Sequence, residues 1–134
     1  MPPSIQCFGI VGLGKMGGGI ALNAIDHGFS VAALDTHPIS DEMQGAGVNA
    51  AADIADLVRL LTPPRLVMLY VPAGPPVDQV LNDLLAALEP GDIIADGGNS
   101  YWGDSIRRHA RAKERRISFI DVGTSGGPGG ARVS

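Results

Sequence analysis

Six residues near the amino terminus have the types and spacing of a phosphate-binding turn. The segment Gly12–Gly17 directly follows the apolar run Ile5–Val11 and directly precedes a helix-compatible stretch. In such a turn the first glycine lets the chain leave the strand sharply, and the second lets a pyrophosphate approach the backbone. The third lets the new helix pack closely, and the helix amino terminus offers N–H groups to the phosphates. The spacing therefore predicts dinucleotide binding by Gly12, Leu13, Gly14, Lys15, Met16 and Gly17.

An acidic residue after the second apolar run could bind the adenosine ribose. Dinucleotide sites place it about 20 residues beyond the turn, where its carboxylate accepts hydrogen bonds from the ribose hydroxyls. Asp35 ends the run that starts at Ser30 and has this spacing from Gly17. A carboxylate there repels a 2′-phosphate, and NADP sites usually carry an arginine nearby. Thr36 and His37 follow instead, and histidine is mostly neutral near pH 7. We therefore expect cofactor binding by Asp35 and Thr36, with NAD favoured over NADP.

Alternating strand and helix signals predict the frame that positions these residues. Strands are expected over Ile5–Val11, Ser30–Asp35, Arg65–Val71, Ile93–Asp96 and Ile117–Val122. Helices are expected over Met16–His27, Ser40–Gln44, Asp53–Leu61, Val77–Leu88 and Ser105–Glu114. The fourth of these has an apolar stripe at helical spacing, formed by Val77, Val80, Leu81, Leu84, Leu85 and Leu88. This alternation favours one α/β domain over residues 1–134, with a Rossmann-like doubly wound parallel sheet.

Residue types also predict helix ends, loops and a charged surface. Gly28 is expected to be the C-cap of the first long helix, and Ser40 and Asp53 are expected to be the N-caps of the next two. The segments Gly45–Ala52 and Ala73–Pro76 are expected to be irregular. The last helix is basic, and we interpret its charges as a solvated face formed by Arg107, Arg108, Arg111, Lys113, Arg115 and Arg116.

Composition excludes several classes of protein. The chain has 134 residues, of which 45% are hydrophobic and 18% charged, and its formal net charge is -4. These values suit a globular domain of ordinary size and give no basic surface for nucleic acid. We expect no membrane span and no metal site. Cys7 is the single cysteine and cannot form an internal disulfide, which favours a reducing cytoplasm.

Three loops rich in small residues are expected where predicted strands end. They are Val71–Gly74, Asp96–Ser100 and Gly123–Gly127. In an open α/β sheet, ligands bind beyond the carboxyl ends of the strands, so these loops would share one rim with the glycine turn. Small residues there let backbone amides reach polar oxygens of a ligand.

Four motifs follow one another along the chain: the Gly12–Gly17 turn, His27–Phe29, Asp-Gly-Gly-Asn-Ser at 96–100 and Ser-Gly-Gly at 125–127. In this order they resemble the amino-terminal domain of 6-phosphogluconate dehydrogenase. The resemblance implies a pentose phosphate pathway enzyme that oxidatively decarboxylates 6-phosphogluconate, a sugar-acid phosphate, to ribulose 5-phosphate with a nicotinamide cofactor. It implies cofactor contacts from Val71, Pro72 and Ala73, and a position for Asn99 between nicotinamide and substrate. It implies substrate binding by Asn99, Ser125, Gly126 and Gly127.

The same resemblance predicts what the chain lacks. The family's general base, a lysine, and its glutamate acid belong to a helical second domain that this sequence does not contain. Lys15 in the turn and Lys113 on the last helix are not substitutes for them. We therefore expect a fragment or truncated product without a catalytic residue of its own, in which Asn99 only positions the substrate. Self-association through the uncovered rim is also expected.

Two other functions stay open on the sequence. One is a fragment of a 3-hydroxyacid dehydrogenase, a related class that shares the glycine turn and a Ser-Gly-Gly loop but usually differs at 96–100. The other is a stand-alone nucleotide-binding module without catalysis.

Overall fold

The computed structural model describes residues 7–36, 38–71, 75–97 and 102–122, with the backbone alone described at Lys15, Met16 and Trp102. Strands and helices alternate along these residues. The strands are β1 (Cys7–Val11), β2 (Ser30–Leu34), β3 (Val48–Ala50), β4 (Leu66–Leu69), β5 (Ile93–Asp96) and β6 (Ser118–Asp121). The helices are α1 (Lys15–Asp26), α2 (Asp41–Ala46), α3 (Ile54–Arg59), α4 (Pro75–Ala87) and α5 (Trp102–Glu114).

The described strands form one parallel sheet in the order β3-β2-β1-β4-β5-β6. The chain moves outward from β1 to β3, returns to the other side of β1, and moves outward again through β6. This arrangement confirms the predicted doubly wound, Rossmann-like fold. The strand order reverses between β1 and β4, and ligands of such sheets bind in the crevice beyond the carboxyl ends at this point.

Apolar side chains fill both faces of the sheet. On one face, Ile10 of β1 and Val31 of β2 are buried with Ala21 of α1. On the other face, Val67 and Leu69 of β4 pack in a second cluster with helical side chains. The predicted apolar stripe of α4 belongs to this second cluster through Val77, Leu81, Leu84, Leu85 and Leu88.

The predicted N-caps at Ser40 and Asp53 are confirmed. Ser40 Oγ accepts a hydrogen bond from the Met43 amide at 3.2 Å, and Asp53 Oδ1 accepts one from the Asp56 amide at 2.8 Å. These two bonds each satisfy one amide that the helix itself cannot pair. The C-cap of α1 is His27 and not the predicted Gly28, which lies one residue further on. Gly28 has a φ of 88°, a left-handed conformation that glycine adopts without a steric penalty.

Two segments that were predicted to be irregular contain regular structure. Val48–Ala50 forms β3, an edge strand that pairs in parallel with β2. A strand of this length is too short to show alternation in the sequence, and its hydrogen bonds come from a distant neighbour. Pro75 and Pro76 begin α4 instead of lying in a loop. Proline suits the first turn of a helix because the amide that it lacks would have no helical partner there.

Candidate functional site

Gly12 leaves β1 beside the crevice between β1 and β4. Its amide donates a hydrogen bond to the Leu34 carbonyl at 2.9 Å, which ties the turn to the end of β2. Its φ is 98°, and a Cβ atom at this position would overlap the Tyr70 carbonyl on the β4 side. Both the backbone conformation and the available space therefore require glycine, as predicted for the first position of the turn.

The other two glycines of the turn have opposite surroundings. A Cβ atom on Gly17 would overlap the carbonyl oxygen of Gly12, so α1 packs against the turn more closely than a residue with a side chain would allow. A Cβ atom on Gly14 would meet nothing within 4 Å among the described residues. Gly14 is also the N-cap of α1, and as a glycine it has no side chain that could accept a hydrogen bond from the first helical amides. The turn is closed by protein at Gly17 and open at Gly14.

This open backbone cradle fits a diphosphate. The first amides of an α-helix have no partner within the helix, and the helix dipole favours an anion at that end. The open space at Gly14 would let phosphate oxygens reach these amides. Leu13 is half-buried against the core cluster that contains Ala21. Lys15 and Met16 contribute their backbone to the first turn of α1, and their side chains lie outside the description.

Asp35 and Thr36 directly follow β2, on the opposite side of β1 from β4. The Thr36 amide donates a hydrogen bond to Asp35 Oδ1 at 2.8 Å, and Thr36 itself is exposed. A carboxylate has about four acceptor positions, so Asp35 keeps acceptors for the hydroxyls of a ribose. The hydrogen bond between Gly12 and Leu34 holds this carboxylate next to the glycine turn.

The structure brings one residue of the predicted β4 loop to the turn. Val71 Cγ1 lies 3.4 Å from the position that a Cβ atom on Gly12 would take. The other predicted site residues after β4, β5 and β6 lie outside the described residues: Pro72, Ala73, Asn99, Ser125, Gly126 and Gly127. Their roles stay predictions.

One arginine of the basic helix is buried, so the predicted solvated face is wrong at Arg108. Its side chain is 0% exposed, whereas that of the adjacent Arg107 is 53% exposed. Arg108 Nε donates to Asp78 Oδ1 of α4 at 2.9 Å, and its Nη1 lies 3.9 Å from Asp96 Oδ2 at the end of β5. The hydrogen bond from Arg108, together with its charge, lowers the pKa of Asp78. The charged group thus faces inward, between α4, α5 and β5.

Helical spacing was the signal that could have identified Arg108. The buried residues Ser105 and Ala112 lie three positions before it and four positions after it, on the same face of α5. The residue type indicates the opposite, an exposed side chain, because arginine is rarely fully buried unless it is paired. Its carboxylate partners come from other elements and cannot be read from the helix.

Tyr70 is a second residue at the rim that the sequence did not single out. Its ring lies so close to Gly97 that a Cβ atom on Gly97 would overlap it, which explains why glycine follows β5 directly. Tyr70 Oη is buried and has no hydrogen-bond partner among the described residues, and burial raises the pKa of this phenol. The side chain thereby connects the ends of β4 and β5 at the edge where ligands are expected.

Other kinds of site were sought in the described part of the chain. No group of three or more His, Cys, Asp or Glu residues there could hold a metal ion. No helix there has the length and apolar character needed to cross a membrane. Cys7 is partly buried in β1, and burial raises the pKa of its thiol. The thiolate that a nucleophilic cysteine needs is therefore disfavoured at Cys7.

Comparison with known proteins relates most of the chain to one family. The model of a family described as the NAD binding domain of 6-phosphogluconate dehydrogenase matches residues 7–134. Saccharomyces cerevisiae 6-phosphogluconate dehydrogenase, decarboxylating 1, is 45% identical over 131 residues, which cover 93% of this chain and 27% of that protein. The NAD(+)-dependent, decarboxylating enzyme of Bacillus subtilis is 41% identical over 129 residues, which cover 92% of this chain and 28% of that protein. The chain spans little more than a quarter of the length of these relatives.

Solved structures agree with this relationship. Plasmodium falciparum 6-phosphogluconate dehydrogenase, known in its apo form and with NADP+ or 6-phosphogluconate, superposes with a TM-score of 0.79 at 32% identity. The superposition covers 95% of this chain and 29% of that one. Mycobacterium tuberculosis 3-hydroxyisobutyrate dehydrogenase superposes with a TM-score of 0.83 at 24% identity, over 94% of this chain and 43% of that one. At this identity the second match shows a shared fold alone, so a 3-hydroxyacid dehydrogenase is the weaker interpretation.

Proposed function

The chain belongs to the family of NAD-binding domains of 6-phosphogluconate dehydrogenase, and from this premise we propose that it binds a nicotinamide dinucleotide across the crevice between β1 and β4. One observation carries the proposal. The glycine turn is closed against the protein at Gly17 and open at Gly14, directly before the amino terminus of α1. A backbone cradle of this shape matches what a pyrophosphate needs.

In the proposed complex the two halves of the dinucleotide lie on opposite sides of β1. The amides of Gly12–Gly17 and the first turn of α1 bind the pyrophosphate, and Asp35 accepts hydrogen bonds from the adenosine ribose. Because Asp35 follows β2, the nicotinamide half extends the other way, over the ends of β4 and β5. Val71, with Pro72 and Ala73, borders it there. The bound nicotinamide supplies a hydride acceptor, and these residues bind and orient it.

We propose further that NAD is preferred over NADP. The Asp35 carboxylate can accept hydrogen bonds from both hydroxyls of the NAD ribose, but it repels the 2′-phosphate of NADP. Thr36, whose amide is held on that carboxylate, provides no positive charge for the phosphate. The two cofactors each occur among the relatives: the Bacillus subtilis enzyme is named NAD(+)-dependent, and the Plasmodium falciparum enzyme was solved with NADP+.

Titration of the purified chain with NADH and NADPH, followed by nicotinamide fluorescence, tests both proposals. We expect tighter binding of NADH, and we expect the double variant Asp35→Ser/Thr36→Arg to reverse the order. Thr36→Arg alone is the matched control, since it adds the positive charge but keeps the repelling carboxylate. Equal or tighter binding of NADPH by the unaltered chain would contradict the NAD preference. Failure to bind either nucleotide would contradict the proposed function.

For the whole enzyme we propose the oxidative decarboxylation of 6-phosphogluconate, with this chain as one part. Asn99 would lie between nicotinamide and substrate, and Ser125, Gly126 and Gly127 would hydrogen-bond the substrate carboxylate and nearby hydroxyls. The family's lysine base and glutamate acid have no counterpart in this chain. Its own contribution is therefore to hold the cofactor and one side of the substrate.

Two properties of the chain complete the proposal. We propose a reducing compartment, the cytoplasm, because a single cysteine offers no internal disulfide. We also propose that the chain self-associates through the rim at the end of β6. Ile120 there is 49% exposed and would supply apolar surface to such a contact.

A further inference from the structure

Helix α5 contacts the ends of two neighbouring strands at the ligand rim. Asp96 ends β5, Asp121 ends β6, and the two are paired in register. Ser105 Oγ donates a hydrogen bond to Asp121 Oδ2 at 3.2 Å, and Arg108 Nη1 lies 3.9 Å from Asp96 Oδ2. One face of α5 thus faces the carboxylates at the ends of β5 and β6.

The Arg108 guanidinium bridges carboxylates from two other elements. Its Nε and Nη2 donate to the Asp78 carboxylate of α4 at 2.9 Å and 3.3 Å, so the planar group is gripped at two points. The remaining edge, at Nη1, is directed to Asp96. Because Arg108 and Asp96 are both 0% exposed, water does not screen this attraction. Asp78 therefore orients the guanidinium, and this orientation directs Nη1 toward the Asp96 carboxylate.

The position of Asp96 matters because of the residue that follows it. The Gly97 amide continues the sheet ladder by donating to the Leu69 carbonyl at 2.9 Å. In the proposed complex the nicotinamide half of the dinucleotide lies over these strand ends, whereas Asp35 and the glycine turn hold the adenosine half on the other side. A change at Asp96 should thus alter the binding of the nicotinamide half of the cofactor and leave the binding of the adenosine half unchanged.

We propose that Arg108, oriented by Asp78, is a positioning residue for the nicotinamide end of the site. It acts through Asp96, whose carboxylate it faces at the end of β5, directly before Gly97. This inference rests on the proposed function, since it assumes that the chain binds a nicotinamide dinucleotide.

The test compares two ligands that differ by the nicotinamide. ADP-ribose contains the adenosine and the pyrophosphate but lacks the nicotinamide ring. We call the ratio of the Kd of ADP-ribose to the Kd of NADH the nicotinamide increment. It measures how much the nicotinamide end of the site contributes to affinity. Arg108→Met should lower this increment at least about fivefold, the equivalent of one hydrogen bond, and leave the Kd of ADP-ribose within about twofold. A general folding defect would instead weaken both ligands together.

Two milder variants keep the inference testable if Arg108→Met does not fold. Arg108→Lys keeps the charge but cannot bridge Asp78 and Asp96 with one planar group, so it should retain only part of the increment. Asp78→Asn weakens the two hydrogen bonds that orient the guanidinium, and it should lower the nicotinamide increment less than Arg108→Met does. Arg107→Met is the matched control, because it removes the same charge from an exposed neighbour that also contacts Asp78, at 3.5 Å.

The possible outcomes separate the two proposals. An increment that is unchanged in the folded Arg108 and Asp78 variants, or lowered equally by Arg107→Met, overturns the positioning role. A nicotinamide increment near one in the unaltered chain overturns the positioning role as well, because the nicotinamide end would then add nothing to affinity. Failure of the unaltered chain to bind ADP-ribose would contradict the proposed function instead.

Discussion

Replacement of Gly14 by valine should abolish dinucleotide binding and leave the fold intact. Gly14 has φ −69° and ψ −164°, an extended conformation that a residue with a side chain adopts without strain. A Cβ atom there meets nothing within 4 Å among the described residues. The branched side chain would therefore stand in the space that we assign to the pyrophosphate, and not in the protein.

The structure sets the size of both effects. Valine is a poorer N-cap than glycine, so we expect Gly14→Val to lower the free energy of unfolding by about 0.5–1 kcal/mol. A hydrogen bond to a charged group contributes about 1.5–3 kcal/mol, so loss of even one amide–phosphate contact weakens binding roughly 10- to 150-fold. The effect on affinity should thus exceed the effect on stability.

Gly17 and Gly19, near the start of α1, provide controls with opposite expected effects on stability. In Gly17→Ala the new methyl group overlaps the Gly12 carbonyl oxygen, a backbone atom that cannot move aside, and we expect destabilisation of about 3 kcal/mol or more. In Gly19→Ala the methyl group meets nothing within 4 Å among the described residues. Alanine in a helix interior is favoured over glycine, so this variant should be stabilised by about 0.5–1 kcal/mol and bind normally.

Urea denaturation followed by circular dichroism measures the stability of these variants, and NADH titration measures their affinity. The informative comparison is Gly14→Val against Gly19→Ala, since both add a side chain to open space within the same turn and helix. A folded Gly14→Val variant that binds NADH as tightly as the unaltered chain would refute the assignment of this turn as the phosphate site.

Three further predictions concern other parts of the chain. Asp92, 1% exposed at the opposite end of the sheet, accepts hydrogen bonds from the Arg65 amide at 2.8 Å and from Arg65 Nη1 at 3.1 Å. Asp92→Ala should destabilise the fold by about 3–5 kcal/mol in urea denaturation, with unchanged NADH affinity if the variant stays folded. The lowered pKa of Asp78 stabilises the fold above the unfolded carboxyl pKa of about 3.9, and this contribution is lost as the pH falls through the folded pKa. The difference in free energy of unfolding between the unaltered chain and Asp78→Asn should therefore become smaller as the pH falls from 7 to 3, measured by urea denaturation. The chain alone should not reduce NAD with saturating 6-phosphogluconate, because loss of a general base costs about 10²–10⁴-fold in rate; turnover that disappears in Asn99→Ala would show that a base lies within this domain.

Local features of the fold and of the site could be derived from the sequence, because they depend on residues that are close together along the chain. The turn at Gly12, the caps Ser40 and Asp53, and the apolar stripe of α4 each follow from a few consecutive positions. Backbone sterics and helix periodicity act over this range and need no knowledge of the remaining chain. The alternation of strands and helices likewise determined the fold class, since parallel strands require crossover connections.

Only the tertiary structure decided which distant residues meet. β3 is recognisable through its pairing with β2, and Arg108 is buried because α4 and β5 bring two carboxylates to it. Tyr70 reaches Gly97 because β4 and β5 are adjacent. The energy of such contacts depends on which elements pack together, and a charge that is solvated on an isolated helix becomes a buried ion pair when its partners come from other elements. Periodicity identifies the face of an element that turns inward, and the topology of the sheet selects the groups that it meets there.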